Sequence, residues 1–146
     1  MKKFHFLAAP FLALAFSSCT SEDDTLTSLS ASGATTTVTS GTWKITLYDD
    51  SGNNETSDYT SYSFKFEDDG TLKATSGGTT HLGTWSISDD DDSPEDIDLN
   101  IFFAAPEKLE ELTDDWDILE YTSSQIRLRD VSGGSGETDL LTFELI

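Results

Sequence analysis

Few side chains in this sequence have the chemistry to do more than fold. His5 and His81 are its only imidazoles and Cys19 its only thiol. Nucleophilic catalysis needs a nucleophile with a base in hydrogen-bond reach, and no flanking motif marks a nucleophile for His81, which lies in a β-patterned run. A zinc site needs several His, Cys or carboxylate ligands at close spacing, and these residues supply no such cluster. Carboxylates are abundant, 28 against eight Lys and Arg. A glycosidase uses two of them at a set separation across a cleft, but a composition this acidic brings carboxylates together by chance. The densest run, Asp89-Asp90-Asp91-Asp92-Ser93-Pro94-Glu95-Asp96, offers the hard oxygens that calcium takes. It lacks the spaced Asp-x-Asp-x-Asp-Gly of an EF-hand loop and reads as a solvated acidic turn. The expectation is therefore no enzyme, no cofactor and no assigned metal site.

The chemistry of Cys19 follows from its position. Being the only Cys, it cannot form an intramolecular disulfide. It follows a basic start (Lys2, Lys3) and an uncharged apolar run, Phe6 to Phe16 (FLAAPFLALAF). That run has the length of a secretory h-region, whereas a membrane-spanning helix needs about 20 apolar residues. Residues 1–18 are thus predicted to be a signal peptide. The junction Ala15-Phe16-Ser17-Ser18-Cys19 resembles the lipobox of bacterial lipoproteins. The resemblance implies that Cys19 is the lipid anchor, carrying acyl chains such as palmitate, with Phe16 standing where Leu is more usual. Two or more chains hold a protein to a bilayer stably, where one is marginal. The next residues, Thr20-Ser21-Glu22-Asp23-Asp24, resemble the acidic export tag of Bacteroidetes surface lipoproteins. That likeness implies the outer face of the outer membrane.

Removing residues 1–18 takes two bases and no acids, leaving six bases against 28 acids, a formal charge of −22. Such a charge argues against nucleic acid, whose binding depends on neutralising phosphates. It equally argues against lying flat on an anionic membrane, and it favours solubility. Residues 25–40 (TLTSLSASGATTTVTS) carry no charge and are mostly Ser, Thr, Ala and Gly. By composition they cannot bury enough apolar surface to order themselves, so residues 19–40 are predicted to be a flexible tether.

From residue 41 to 146 the period is two. Trp43, Ile45 and Leu47 alternate with Lys44, Thr46 and Tyr48, and Tyr62, Phe64 and Phe66 with Ser61, Ser63 and Lys65. Ile97, Leu99, Ile101 and Phe103 alternate with Asp96, Asp98, Asn100 and Phe102. One apolar face per strand is the pattern of antiparallel sheets wetted on the other side. The spacing predicts eight strands, at 41–48, 59–67, 70–75, 80–88, 96–103, 116–122, 124–130 and 138–145. Asp68-Asp69-Gly70 is a tight hairpin turn, and 106–112 (PEKLEEL) a short helix with Pro in its first turn. Short connections make sequence neighbours pair, in an all-β, antiparallel, up-and-down barrel or a sandwich. A monomer is expected.

Gly41-Thr42-Trp43-Lys44-Ile45 recurs as Gly83-Thr84-Trp85-Ser86-Ile87, and Trp116-Asp117-Ile118 echoes its core. About 105 residues cannot supply the four blades of a propeller. The Gly-x-Trp opening the first strand, with Tyr62-Ser63-Phe64-Lys65-Phe66-Glu67-Asp68-Asp69-Gly70-Thr71 and Gly83-Thr84-Trp85 after it, resembles the lipocalin-like domains of Bacteroidetes lipoproteins. The resemblance implies an eight-stranded barrel over 41–146 in which Trp43 packs across one end. It also implies binding of a small apolar ligand inside. By alternation, the residues that would line such a cavity are Phe64, Phe66, Trp85, Leu99, Ile101 and Phe143. The alternative is a packed β domain acting through its outside on a glycan or protein, or as a protease inhibitor. Tyr48, Tyr59, Phe102 and Tyr121, read as outward or loop residues, would then be its aromatic platform.

Overall fold

The computed structural model describes residues 29–90 and 93–146, and in it the alternating runs close into one sheet. The strands are β1 (Thr42–Asp50), β2 (Asn53–Asn54), β3 (Ser63–Phe66), β4 (Thr71–Ser76), β5 (Thr79–Asp90), β6 (Ser93–Phe102), β7 (Asp114–Tyr121), β8 (Gln125–Val131) and β9 (Thr138–Leu145). From β3 to β9 each strand pairs antiparallel with the next, and β1 joins β3 to β9. Trp43 stands opposite both Phe64 and Leu145, which closes the sheet on itself. The two-residue β2 only extends the end of β1, through Asp49↔Asn54 and Asp50↔Asn53. Eight strands therefore form the wall, the up-and-down antiparallel barrel expected from the sequence, and closure leaves the wall no open edge.

The predicted hairpin at Asp68-Asp69-Gly70 forms. Asp69 Oδ1 accepts from the Thr71 amide at 2.9 Å, and Gly70 takes a φ of 85° that a side chain would resist. The outside of the wall is polar, with Lys65, Asp98, Asn100, Arg127 and Arg129 on it. A lipid-facing band would be apolar and would exclude such charges. Among the described residues no helix is long and apolar enough to cross a membrane.

Three local expectations are corrected. The first concerns β1 and β7, where bulges between Ile45 and Leu47 and between Ile118 and Glu120 break the two-residue period. One extra residue moves everything beyond it to the other face. Tyr48 therefore turns inward and is buried, while in β7 Glu120 stays outside where alternation from Trp116 and Ile118 would turn it inward. The second concerns 59–67. Its first residue ends a 3-10 turn (Thr56–Tyr59) rather than opening a strand, and Tyr59 is completely buried. The third concerns the acidic run. The strands continue to Asp90 and resume at Ser93, so most of 89–96 is a long hairpin rather than a loop. Asp91 and Asp92 lie outside the described residues.

The largest departure is before the barrel. Cys19 and residues 19–28, the first part of the predicted tether, lie outside the described residues, as does the signal segment. Residues 31–38, the rest of that tether, form an α-helix, α1 (Ala31–Val38). Ser30 caps it, its hydroxyl accepting from the Gly33 amide at 3.1 Å. Eight residues of Ala, Ser, Gly, Thr and Val are too few and too poor in helix formers to persist alone. Ala34 and Val38, four residues apart and so on one face, are each 1% exposed within the barrel core. Composition misled here because the apolar surface that orders the helix belongs mostly to the barrel mouth it covers. The other mouth is covered by the 3-10 turn and by α2 (Glu107–Glu110), the short helix expected near 106–112.

Two of the three tryptophans tie such a covering segment to the wall, and the third ties a strand turn. The indole Nε1–H of Trp43 donates to the Val38 carbonyl at 2.9 Å, at the end of α1. That of Trp85 donates to the Glu67 carbonyl at 2.9 Å, in the β3–β4 turn, and that of Trp116 to the Leu112 carbonyl at 3.0 Å, just beyond α2.

Candidate functional site

The six residues expected to line a cavity do come together, but against one another. Phe64 and Phe143 meet edge to face with ring centroids 5.4 Å apart, Phe66 and Phe143 at 5.6 Å, and Phe66 and Trp85 at 5.7 Å. Such T-shaped contacts are the favoured geometry of packed aromatics. Leu99 and Ile101 are buried in the same cluster. Rings at these separations fill the space that a ligand would need, and an eight-stranded barrel has an interior that side chains alone can occupy. Trp43 lies where the sequence puts it, fully buried at one mouth, but there it meets α1. The set predicted as a ligand lining is thus the hydrophobic core.

The second mouth gathers ionisable groups. Lys108 Nζ lies 3.1 Å from Glu55 Oε2, 2.9 Å from Asp58 Oδ2 and 2.7 Å from Glu111 Oε2. Tyr59 donates to the Lys108 carbonyl at 2.9 Å and lies 3.1 Å from Glu111 Oε2. Tyr48 donates to the Glu111 carbonyl at 3.0 Å. Hydrogen bonds to Glu111 and Asp58 push the Lys108 ammonium well above its usual range. Burial, then the nearby carboxylates, pushes both tyrosines up as well. A catalytic Lys or Tyr is activated by a shift the other way, toward neutral pH. These groups are held in their resting protonation states, and the cluster fastens α2 to the 3-10 turn.

The remaining opportunity is outside. A groove of about 570 Å³ runs over the outer faces of β5, β6 and β7. Its polar wall is Thr84 and Ser86 from β5, Asn100 from β6, and Thr113, Asp114 and Asp115 from the start of β7. Phe102, 53% exposed, stands at one end of it. Register sets the arrangement, with Thr84 opposite Phe102, Ser86 opposite Asn100, and Asn100 opposite Asp115. Directly opposed side chains on one face have Cβ atoms about 5 Å apart, so the Ser86–Asn100–Asp115 row is continuous across three strands. One position along the strands, Asp98 faces Asp117. Burial, then the charges of Asp117 and Asp115, raises the Asp98 carboxyl above the ordinary carboxylate range. Gly83 permits this wall, because a Cβ there would come within 2.4 Å of the Phe102 carbonyl oxygen.

Of the four aromatics read from the sequence as an outer platform, only Phe102 is freely exposed. Tyr48 and Tyr59 are buried, and Tyr121 is half-buried against α1, with its hydroxyl 3.5 Å from the Ser30 carbonyl. Asn100, Asp114 and Asp115 were not anticipated as site residues. Phe102 had a signal in the outward series Asp96, Asp98, Asn100, Phe102, in which one aromatic follows polar residues, whereas Asp114 and Asp115 had none. His81 is not among the residues lining this groove and lies beside Tyr62, with ring centroids 6.4 Å apart.

Fold and surface together define a small, closed, eight-stranded antiparallel barrel with covered mouths and an acidic outer groove. No family model matches the chain, and no curated protein matches it. Among solved structures it is similar to a DUF4847 family protein from Bacteroides vulgatus, at 17% sequence identity and a TM-score of 0.46. The match covers 73% of this chain and 93% of that one.

Proposed function

We propose that this chain is a lipid-anchored surface protein whose barrel is a non-enzymatic binding module working through its outer wall. The single observation that carries the outer-wall reading is the aromatic core. Phe64, Phe66, Trp85 and Phe143 occupy the interior edge to face, and each mouth is covered by a segment tied to a tryptophan. Anchoring rests on the sequence. The h-region, the lipobox-like Ser17-Ser18-Cys19 and the acidic residues after it support acylation of Cys19 and display on the outer membrane. With α1 packed on the barrel, nine residues lie between Cys19 and Leu29, ten steps along the chain. At full extension they reach at most about 35 Å, so the α1 end is the membrane-proximal end and the β5–β7 wall flanks it.

Two measurements test this reading. Growth of a Bacteroidetes host with labelled palmitate should label the wild type and not Cys19→Ala, and added protease should cleave the barrel on intact cells. Native mass spectrometry of residues 20–146, which retain every residue of the described core, should return the bare mass after exposure to an envelope extract. A reproducible apolar adduct released by organic solvent would overturn the outer-wall reading and restore an internal ligand.

A further inference from the structure

We propose that the β5–β7 groove is a recognition site for a cationic side chain, the guanidinium or ammonium of a basic protein partner, stacked on Phe102 and held by Asp114, Asp115 and Asn100. This rests on the outer-wall reading above and names the chemistry of what that wall takes.

The hydrogen-bond inventory of the groove selects the ligand. The Asn100 amide nitrogen is already used, donating to Ser88 Oγ at 2.9 Å and Ser86 Oγ at 3.3 Å. That bond fixes the amide with its oxygen as the remaining function. The Thr113 hydroxyl is used too, accepting from the Phe103 amide at 2.9 Å and donating to the Phe103 carbonyl. One oxygen of Asp114 accepts from the Asp115 amide at 2.8 Å, leaving the other. What the groove presents is therefore mainly acceptors: Asn100 Oδ1, Asp114 Oδ2 and the Asp115 carboxylate. The hydroxyls of Thr84 and Ser86 are its remaining side-chain donors. Lys and Arg are the side chains that offer several donors and no acceptor. A sugar ring, whose hydroxyls both give and take, would leave more of its groups unmatched.

Charge points the same way. The groove lining contains no Lys or Arg, and Asp98 stands next along the wall, while Asp117 beside it is paired with Arg129 at 3.0 Å. Phe102 adds the second half of the recognition. The ring of Phe102, 53% exposed beside Asn100 and opposite Thr84, leaves a free face that attracts a cation. Leu82, also exposed, lies diagonally beside it on β5 and would meet an apolar residue next to the cation.

The test is an amide chemical-shift titration of residues 20–146 with acetyl-arginine amide and, separately, with cellobiose. The expected result is saturable shifts by the arginine probe confined to Ser86, Asn100, Phe102 and Asp115. Apparent affinity should fall at least fivefold in Phe102→Leu, which keeps apolar bulk but loses the ring face. It should fall at least as far in Asp114→Asn/Asp115→Asn, and it should be unchanged in Asp68→Asn/Glu137→Gln, which removes two charges elsewhere. Spectra away from the groove would verify that each variant is folded. Shifts spread over every acidic patch and weakened equally by all variants would overturn the site, as would saturable binding of cellobiose without arginine. The second result would still leave the outer-wall reading standing. An apolar adduct in the mass measurement would remove that reading itself, whatever the titration gave.

Discussion

If α1 is part of the fold, a chain beginning at Gly41 should be severely destabilised, whereas a chain that merely loses a tether should be indifferent. Val38 is 1% exposed, and Val38→Ala removes two methyl groups at about 0.8 kcal/mol each. A residual cavity adds to that, so the substitution should cost about 2 kcal/mol. Deleting residues 29–40 costs more. It exposes the core surface beneath Leu29, Ala34 and Val38, together with the Trp43 indole that now donates to the Val38 carbonyl at 2.9 Å, and apolar surface returned to water costs about 25 cal/mol per Å². Together these are several kcal/mol, a large share of the roughly 5–15 kcal/mol that a domain possesses. Urea unfolding followed by tryptophan fluorescence reads this directly, because a slope of about 1–2 kcal/mol per molar turns the Val38→Ala cost into a midpoint shift of about 1–2 M. A Gly41–Ile146 chain with the midpoint of residues 20–146 would refute the reasoning and return α1 to the status of a tether.

The acidic wall gives stability an unusual pH dependence. Asp98 and Asp130 hold their protons more tightly folded than unfolded, so their contribution is present below the ordinary Asp value of about 4 and is lost as pH rises through the folded values. Glu67 and Asp69, lowered chiefly by hydrogen bonds from Lys73 and Thr71, act oppositely and are lost as pH falls below about 4. The urea midpoint should therefore rise as pH falls from 7.5 through the raised folded values of Asp98 and Asp130, and fall again below about pH 4. Asp98→Asn should raise the pH 7.5 value by about 0.2–1 kcal/mol, the range of a cross-strand charge pair; a midpoint that falls steadily from pH 7.5 would contradict this. Gly83→Ala should cost about 2 kcal/mol or more by forcing β5 from β6, since the added Cβ would also crowd the Phe103 ring at 2.7 Å. Calorimetry would show it as a fall in melting temperature. Lys108→Met should destabilise by about 1 kcal/mol at low ionic strength, because Glu55, Asp58 and Glu111 then face one another, and 0.5 M salt should recover most of it.

The wall of the barrel was legible in the sequence because antiparallel strands with one wet face write a period of two. The Asp68-Asp69-Gly70 turn was legible because its residues are those the turn needs. Legibility failed where the cause was not local. Tyr48 obeys the alternation of its strand until the bulge after Ile45, and no residue type marks that bulge. Tyr59 looks like a loop aromatic until α2 arrives above it from nearly fifty residues away. In α1 the weak helical sequence is real, and the surface that overrides it belongs to other strands. Of the candidate site, Phe102 was readable as outward. Its polar companions were not, since Asp114 and Asp115 reach Asn100 only through the register of β6 on β7.

The recurring Trp-x-Ile motif joins these observations. In each copy the Ile is a wall residue, and the Trp sits at a rim where a segment must be fastened. A buried indole N–H needs an acceptor, and a backbone carbonyl supplies it in all three cases, from the covering segments for Trp43 and Trp116 and from the β3–β4 turn for Trp85. The recurrence is thus one physical solution used three times rather than a repeated blade. A barrel whose mouths are covered, and whose centre is packed with Phe64, Phe66 and Phe143, supports the proposal that a partner meets its outer wall. On that wall Phe102, 53% exposed between Asn100 of its own strand and Thr84 of β5, is the aromatic on which the proposed contact turns.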